Sequence, residues 1–181
     1  MKIRKSYIIK IIILMIILIV CIGNIIFVNK KYGIEPKKTY KMNEDVTWNG
    51  YTINVKSYEI LSEDEAEARY PGSKKILTNE GTSGEGSVLI VKCKLSSDKG
   101  AVSLPLGNLK AQGGTWTNGL SRDMNLLINP EFDKLKAGDN EVCLAFEFAN
   151  VQFVNYNYEE IKNKKYELVV SLTPVISIAL E

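Results

Sequence analysis

The run Ile11–Val28, "IIILMIILIVCIGNIIFV", constrains this chain more than any other stretch. It carries no charge, and only Gly23 and Asn24 interrupt its apolar character. Extended back to Tyr7, it reaches the length of about 20 residues that crosses a hydrocarbon core. Each Ile, Leu or Val near the middle favours insertion by about 0.3–0.6 kcal/mol, and together they outweigh one Asn. Lys10 sits near one end, where its stem extends to the headgroups. The run is apolar all round, unlike the striped helix of a globular core.

Three fates fit such a segment. A cleaved signal wants small residues before the cut; Cys21-Ile22-Gly23 match poorly, and Ile25–Val28 would remain as an exposed apolar tail. A lipoprotein signal resembles Leu18-Ile19-Val20-Cys21, but Val20 stands where such motifs want Gly or Ala. A retained anchor needs no special residue and uses the whole stretch. The expectation is therefore a basic cytoplasmic arm at 1–6, a transmembrane signal-anchor helix at 7–28, a juxtamembrane stalk at 29–43 and an extracytoplasmic domain at 44–181. A surface lipoprotein lipidated at Cys21 is the alternative. Lysines flank the run on both sides, so the positive-inside rule does not decide orientation. The very short leading arm resembles a signal n-region and places the N-terminus inside. The expected location is the cell membrane, single-pass, with the lipid bilayer as the partner of residues 7–28.

Charge is divided along the chain. Residues 1–41 carry nine Lys/Arg against one acid, and residues 42–181 carry 14 against 20, so +8 and −6 sum to the overall +2. An acidic domain argues against nucleic acid, which needs a basic face. The basic arm suits an anionic bilayer surface. There are three Cys and no His, which excludes Ser-His-Asp triads, Cys-His pairs and the usual zinc sites. No catalytic residue, metal or cofactor is expected, and the chain is not read as an enzyme.

Beyond the stalk, period-two patterns dominate. "DVTWNGYTINV" reads as a two-residue hairpin, since Asn49 and Gly50 both tolerate positive φ. A change of parity near Lys56-Ser57 implies a bulge. Ser62 with Glu65 forms a capping box, so one short helix is expected, ending at Pro71-Gly72. Residues 78–87 read as a loop. Leu89, Val91, Cys93 and Leu95 share one strand face, and Val142, Leu144, Phe146 and Phe148 share another. Cys143 falls opposite that second face, so no Cys93–Cys143 disulfide is expected. Turns are expected at 98–100 and 137–140, and strands over Val102/Leu104/Leu106, around Trp116, over Met124/Leu126/Ile128, at 166–174 and at 175–180. Short strands at about 8–12-residue spacing predict an all-β sandwich or barrel.

The segments "EDVTWNGYTINVKSYEILS", "VLIVKCKL", "TWTNG", "FDKLKAGDNEVCLAFEF" and "YELVVSLTP" together resemble a group of Gram-positive, membrane-anchored extracytoplasmic domains of unknown function. That group is similar to the telokin-like, immunoglobulin-like domains of bacterial surface lipoproteins. The resemblance implies an all-β, immunoglobulin-like antiparallel β-sandwich with one short helix, behind a single N-terminal transmembrane helix. It carries no activity over to any residue.

Four aromatics form the candidate contact surface: Trp48 and Trp116 as a carbohydrate or peptide platform, Tyr156 and Tyr158 as an exposed pair. Each is weighed against ordinary packing in a core or rim. Glu63, Asp64, Glu65 and Glu67 read as a solvated acidic face rather than a cation site, with no calcium-loop pattern. Glu159 and Glu160 diverge too far for a glycosidase pair. The expected function is non-catalytic binding or scaffolding at a bacterial cell envelope, with an unknown protein or peptide partner. An immunity or resistance accessory that intercepts cationic peptides is the alternative, motivated by the −6 charge.

Overall fold

A computed structural model describes residues 5–33, 36–48, 50–78, 86–97, 106–130, 136–149, 152–153, 155 and 157–181. The chain divides into two compact units, Met1–Pro36 and Lys37–Glu181.

The described residues of the first unit hold one helix, α1 (Lys5–Tyr32). Its apolar run lacks proline, and Lys30 and Lys31 sit in the last turn, at the negative end of the helix dipole. Within it, Lys10–Lys31 has a mean hydropathy of 3.3 and buries none of its apolar window. By length and composition this helix suffices to cross a membrane, as an anchor or as a signal sequence.

The second unit is a sandwich of two sheets. One has the order β1 (Lys38–Tyr40), β9 (Val175–Leu180), β8 (Tyr166–Leu172), β5 (Lys110–Gly113), β6 (Trp116–Gly119). The other runs β2 (Val46–Trp48), β3 (Tyr51–Ser62), β4 (Gly86–Ser97), β7 (Gly138–Ala149). Among the described residues all pairings are antiparallel except β1 with β9.

The local signals act as their chemistry dictates. Trp48 pairs with Tyr51 across a two-residue connection in which Gly50 has φ 81°; Asn49 lies outside the described residues. The register of β3 on β4 shifts between Val55 and Ser57, leaving Lys56 as the bulge. Ser62 and Glu65 complete both halves of a capping box at the start of α2 (Glu63–Arg69).

Inward faces of the two sheets meet in one core, with Phe146, Leu144 and Leu89 from one side and Leu168, Val170 and Ile178 from the other. Each such side chain contributes about 1.5–3 kcal/mol when removed from water. Cys93 belongs to this core, while Cys143 points to the opposite face of its sheet. The predicted divergence of the two sulfurs holds.

The single short helix is a correction. The described residues of the domain hold four, α2, α3 (Ser73–Leu77), α4 (Arg122–Ile128) and α5 (Tyr158–Lys162), with a 3-10 turn at Leu106–Asn108. The reason lies on β4. Its outer positions Val88 and Ile90 are fully buried, because α2, α3 and α4 cover that face. Leu61, Ala66, Leu77, Met124 and Ala145 complete this second core. The Met124/Leu126/Ile128 alternation therefore belongs to α4, not to a strand. Seven residues are too few for apolar spacing to separate helix from strand. Ser121, whose hydroxyl accepts from Met124 N at 3.2 Å, is the capping signal for α4.

Residues 29–43, expected as a stalk, contain the end of α1 and all of β1, so part of that segment belongs to the sheet. Of the strand expected around Val102, Leu104 and Leu106, residues 102–105 lie outside the described residues, as do the turn at 98–100 and most of the loop at 78–87.

Candidate functional site

The three described candidate aromatics, Trp48, Trp116 and Tyr158, do not form one surface. Trp116 is core: it is only 8% exposed, stacks on Phe148 with centroids 4.2 Å apart, and meets the edge of Tyr166 at 6.0 Å. Its Nε1 donates to Gln152 Oε1 at 3.0 Å, which satisfies the one polar atom of the indole. Its cross-strand partner is Gly113. A Cβ there would lie 2.4 Å from the Tyr166 ring, so the absence of a side chain makes room for that ring. Tyr158 is half-buried on α5, and its hydroxyl donates to Glu65 Oε2 at 2.6 Å. Tyr156 lies outside the described residues.

Trp48 alone of the described three stands at a rim. It is half-buried at the end of β2, opposite the half-buried Tyr51, beside exposed Gly50. Both rings follow the buried pair Val46 and Ile53 on the same face, so they mark one end of the intersheet core. The Thr47 and Thr52 hydroxyls bond at 3.1 Å on the other face. Tyr51 was not among the sequence candidates. The two-residue connection, which fixes Trp48 opposite Tyr51, was the signal that contained it.

The acidic helix spends its carboxylates on its own fold. Lys74 Nζ lies 3.0 Å from both Glu63 and Asp64. Glu67 accepts from the backbone N–H of Gly72 and of Lys74, at 3.0 and 2.7 Å, and these bonds hold its pKa below the usual range. Glu65 accepts from Tyr158 and from Ser62 N; chiefly through the Tyr158 bond, its pKa falls to about 2. Among the described residues no three His, Cys, Asp or Glu side chains cluster as metal ligands would. Glu159 and Glu160 are both exposed on the first turn of α5.

One carboxyl is perturbed the other way. Glu147 on β7 is half-buried, and burial raises its pKa, with Asp123 adding to the rise and the Ser121 hydrogen bond opposing it. Ser121 donates to Glu147 Oε1 while also capping α4. A cleft lined by Gln112, Lys165, Glu167 and Glu181 holds about 180 Å³, below the roughly 300 Å³ at which small-molecule sites begin.

The outer edge of β7 is closed by side-chain amides. Asn125 Nδ2 donates to Ala145 O at 3.0 Å and its Oδ1 accepts from Ala145 N at 3.2 Å. Asn129 does the same with Cys143, at 2.7 and 3.0 Å. Asn118 Nδ2 donates to Glu147 O, and Gln152 Oε1 accepts from Ala149 N. These amides stand where a further strand would pair.

The structural boundary also changes the charge. Lys37–Glu181 is one unit, and it carries 17 Lys/Arg against 20 Asp/Glu, net −3. The −6 of residues 42–181 omitted Lys37, Lys38 and Lys41. Lys37 pairs with Glu167. The charge that motivates the cationic-peptide alternative is smaller by that margin.

No curated protein matches this chain. Among solved structures it is similar to an uncharacterized β-sandwich protein from Clostridium difficile 630, at 10% identity and a TM-score of 0.41, over 81% of this chain and 97% of that one. A family profile described as a domain of unknown function matches residues 37–176, the sandwich from just before β1 into β9. The chain belongs to the DUF5028 family.

Proposed function

We propose that this chain is a membrane-tethered, extracytoplasmic binding or scaffolding module of a Gram-positive cell envelope, working without catalysis. The observation that carries this reading is α1: its side chains from Ile11 to Ile19 are about half to two-thirds exposed, in a run that water does not favour. The domain behind it supports a binding role rather than a reaction. Its clustered acids are engaged in caps and ion pairs, and the sequence supplies no imidazole. The rim at Trp48 and Tyr51 is the contact surface we assign, for a protein or peptide of the cell surface.

The immunoglobulin-like reading rests on the sandwich and on the parallel β1–β9 pair that closes one edge. Three consecutive strands, β2, β3 and β4, in one sheet depart from the ABED/CFG arrangement of immunoglobulin domains, where no sheet holds more than two in succession.

Protease treatment of intact cells tests the placement. Cleavage of the domain without lysis is the expected result, and a domain that stays whole until lysis overturns it. Intact mass of the membrane-bound form distinguishes a retained anchor, which keeps residues before Cys21, from lipidation at Cys21, which removes them. Crosslinking through a photoreactive group at Trp48, followed by mass identification, names the partner.

A further inference from the structure

Asn24 is the one side chain of the apolar run with a strong hydrogen-bond donor and a strong acceptor, the Cys21 thiol being weak as both. At 1.5 Å per residue it lies about 10 Å inside the Lys31 end of the span and about 21 Å from the Lys10 end. A carboxamide on one methylene is too short to reach the headgroups from that depth. In hydrocarbon its polar atoms need a partner. The side chain of Asn24 is exposed on α1.

We infer that α1 pairs in parallel with α1 of a second copy of this chain, through a seam centred on Asn24. This rests on the anchor reading above. Complementarity selects the occupant. The amide carries Nδ2–H as donor and Oδ1 as acceptor, so two copies bond reciprocally across a two-fold axis. All copies of one chain insert in one orientation, which sets Asn24 at the same depth in each. A different helix would need its own polar group at that level. The seam contains Leu14, Ile17, Cys21, Asn24 and Val28, spaced by three and four residues as left-handed pairs require. Asn at one such position fixes register.

Cys21, one turn from Asn24, supplies a native reporter. Ile19 is on the opposite side of α1, about 200° from Cys21 at 100° per residue. The full chain in its native membranes is oxidised with copper phenanthroline and resolved without reductant. The expected result is a band at twice the chain mass that disappears in Cys21→Ser. Cys21→Ser/Ile19→Cys should crosslink at least about fivefold less than the native chain, and Asn24→Leu likewise, whereas Asn24→Gln should retain it. Equal crosslinking from positions 19 and 21, undiminished crosslinking in Asn24→Leu, or a Cys21-dependent band at another mass would overturn the seam. Alkaline carbonate extraction separates the two failures. A chain that stays in the membrane without crosslinking sinks the seam alone, and a chain released by carbonate sinks the anchor reading with it.

Discussion

The hydroxyl of Tyr158 donates to Glu65 Oε2 at 2.6 Å, and so fastens α5 to the N-terminal cap of α2, 93 residues away in sequence. Glu65 already accepts from Ser62 N at 2.8 Å. The phenol thus extends a local capping box into a tertiary contact. Ile60 O lies 3.1 Å from the same hydroxyl, but the charged and closer acceptor takes the proton.

Tyr158→Phe should therefore destabilise the chain by about 1 kcal/mol, the low end for a bond to a charged group because the site is open to water. The effect has a pH signature. Glu65 has a folded pKa of about 2 against an ordinary 4.5, so its stabilisation is present above pH 4.5 and lost as pH falls through about 2. Melting temperatures of the native chain and of Tyr158→Phe should differ most at pH 5–7 and converge toward pH 2. A difference independent of pH would assign the loss to packing instead.

The amide cover on β7 predicts a loss of both stability and solubility. In Asn125→Leu the buried Ala145 N–H loses its acceptor, while Ala145 O keeps its bond from Ser121 N at 2.9 Å. One orphaned buried donor costs about 1–3 kcal/mol. Asn129→Leu should cost less, because Cys143 is only half-buried. The double variant exposes consecutive edge groups and should associate edge to edge. Thermal melts and size-exclusion chromatography in detergent check both, and native elution of the double variant would refute the role of the cover.

Legibility followed the range of the interactions. The hairpin at Trp48–Tyr51, the bulge at Lys56 and the capping box of Ser62 and Glu65 each depend on a few consecutive residues, and each was readable. The second core was not. Val88-Leu89-Ile90-Val91 is an unbroken apolar run, as in a strand buried on both faces, but nothing near it announces that three helices supply the cover. Asn125 and Asn129 look like ordinary polar helix residues until β7 is placed beside them. Trp116 illustrates the same limit for the candidate site. Its indole is buried because Phe148 and Tyr166 arrive from other strands, and no local pattern distinguishes it from Trp48.

Glu147 should behave oppositely to Glu65. Burial raises its folded pKa above the ordinary 4.5, so its favourable contribution exists below pH 4.5 and is lost as pH rises through the folded value. Glu147→Gln keeps an oxygen for the Ser121 hydroxyl and removes the charge beside Asp123. At pH 7 this variant should match or exceed the native chain in melting temperature, by up to about 1 kcal/mol in stability. Below pH 4.5 the two should converge. A clear loss at pH 7 would mean that the ionised carboxylate has a partner in solution.

The two tryptophans report separately on fold and contact. Trp116 is 8% exposed within a ring cluster, so a Trp48→Phe chain should emit at short wavelength and resist acrylamide. A Trp116→Phe chain should emit further to the red, from a half-buried Trp48. Truncation separates them further: Trp116→Ala should cost about 3–5 kcal/mol as a core deletion, and Trp48→Ala about 1 kcal/mol as a rim change. If the Trp48–Tyr51 rim is where a partner lands, adding that partner shifts emission in the Trp116→Phe chain and leaves the Trp48→Phe chain unchanged. Equal shifts in both would mean that binding perturbs the core, and the contact surface would have to be sought elsewhere.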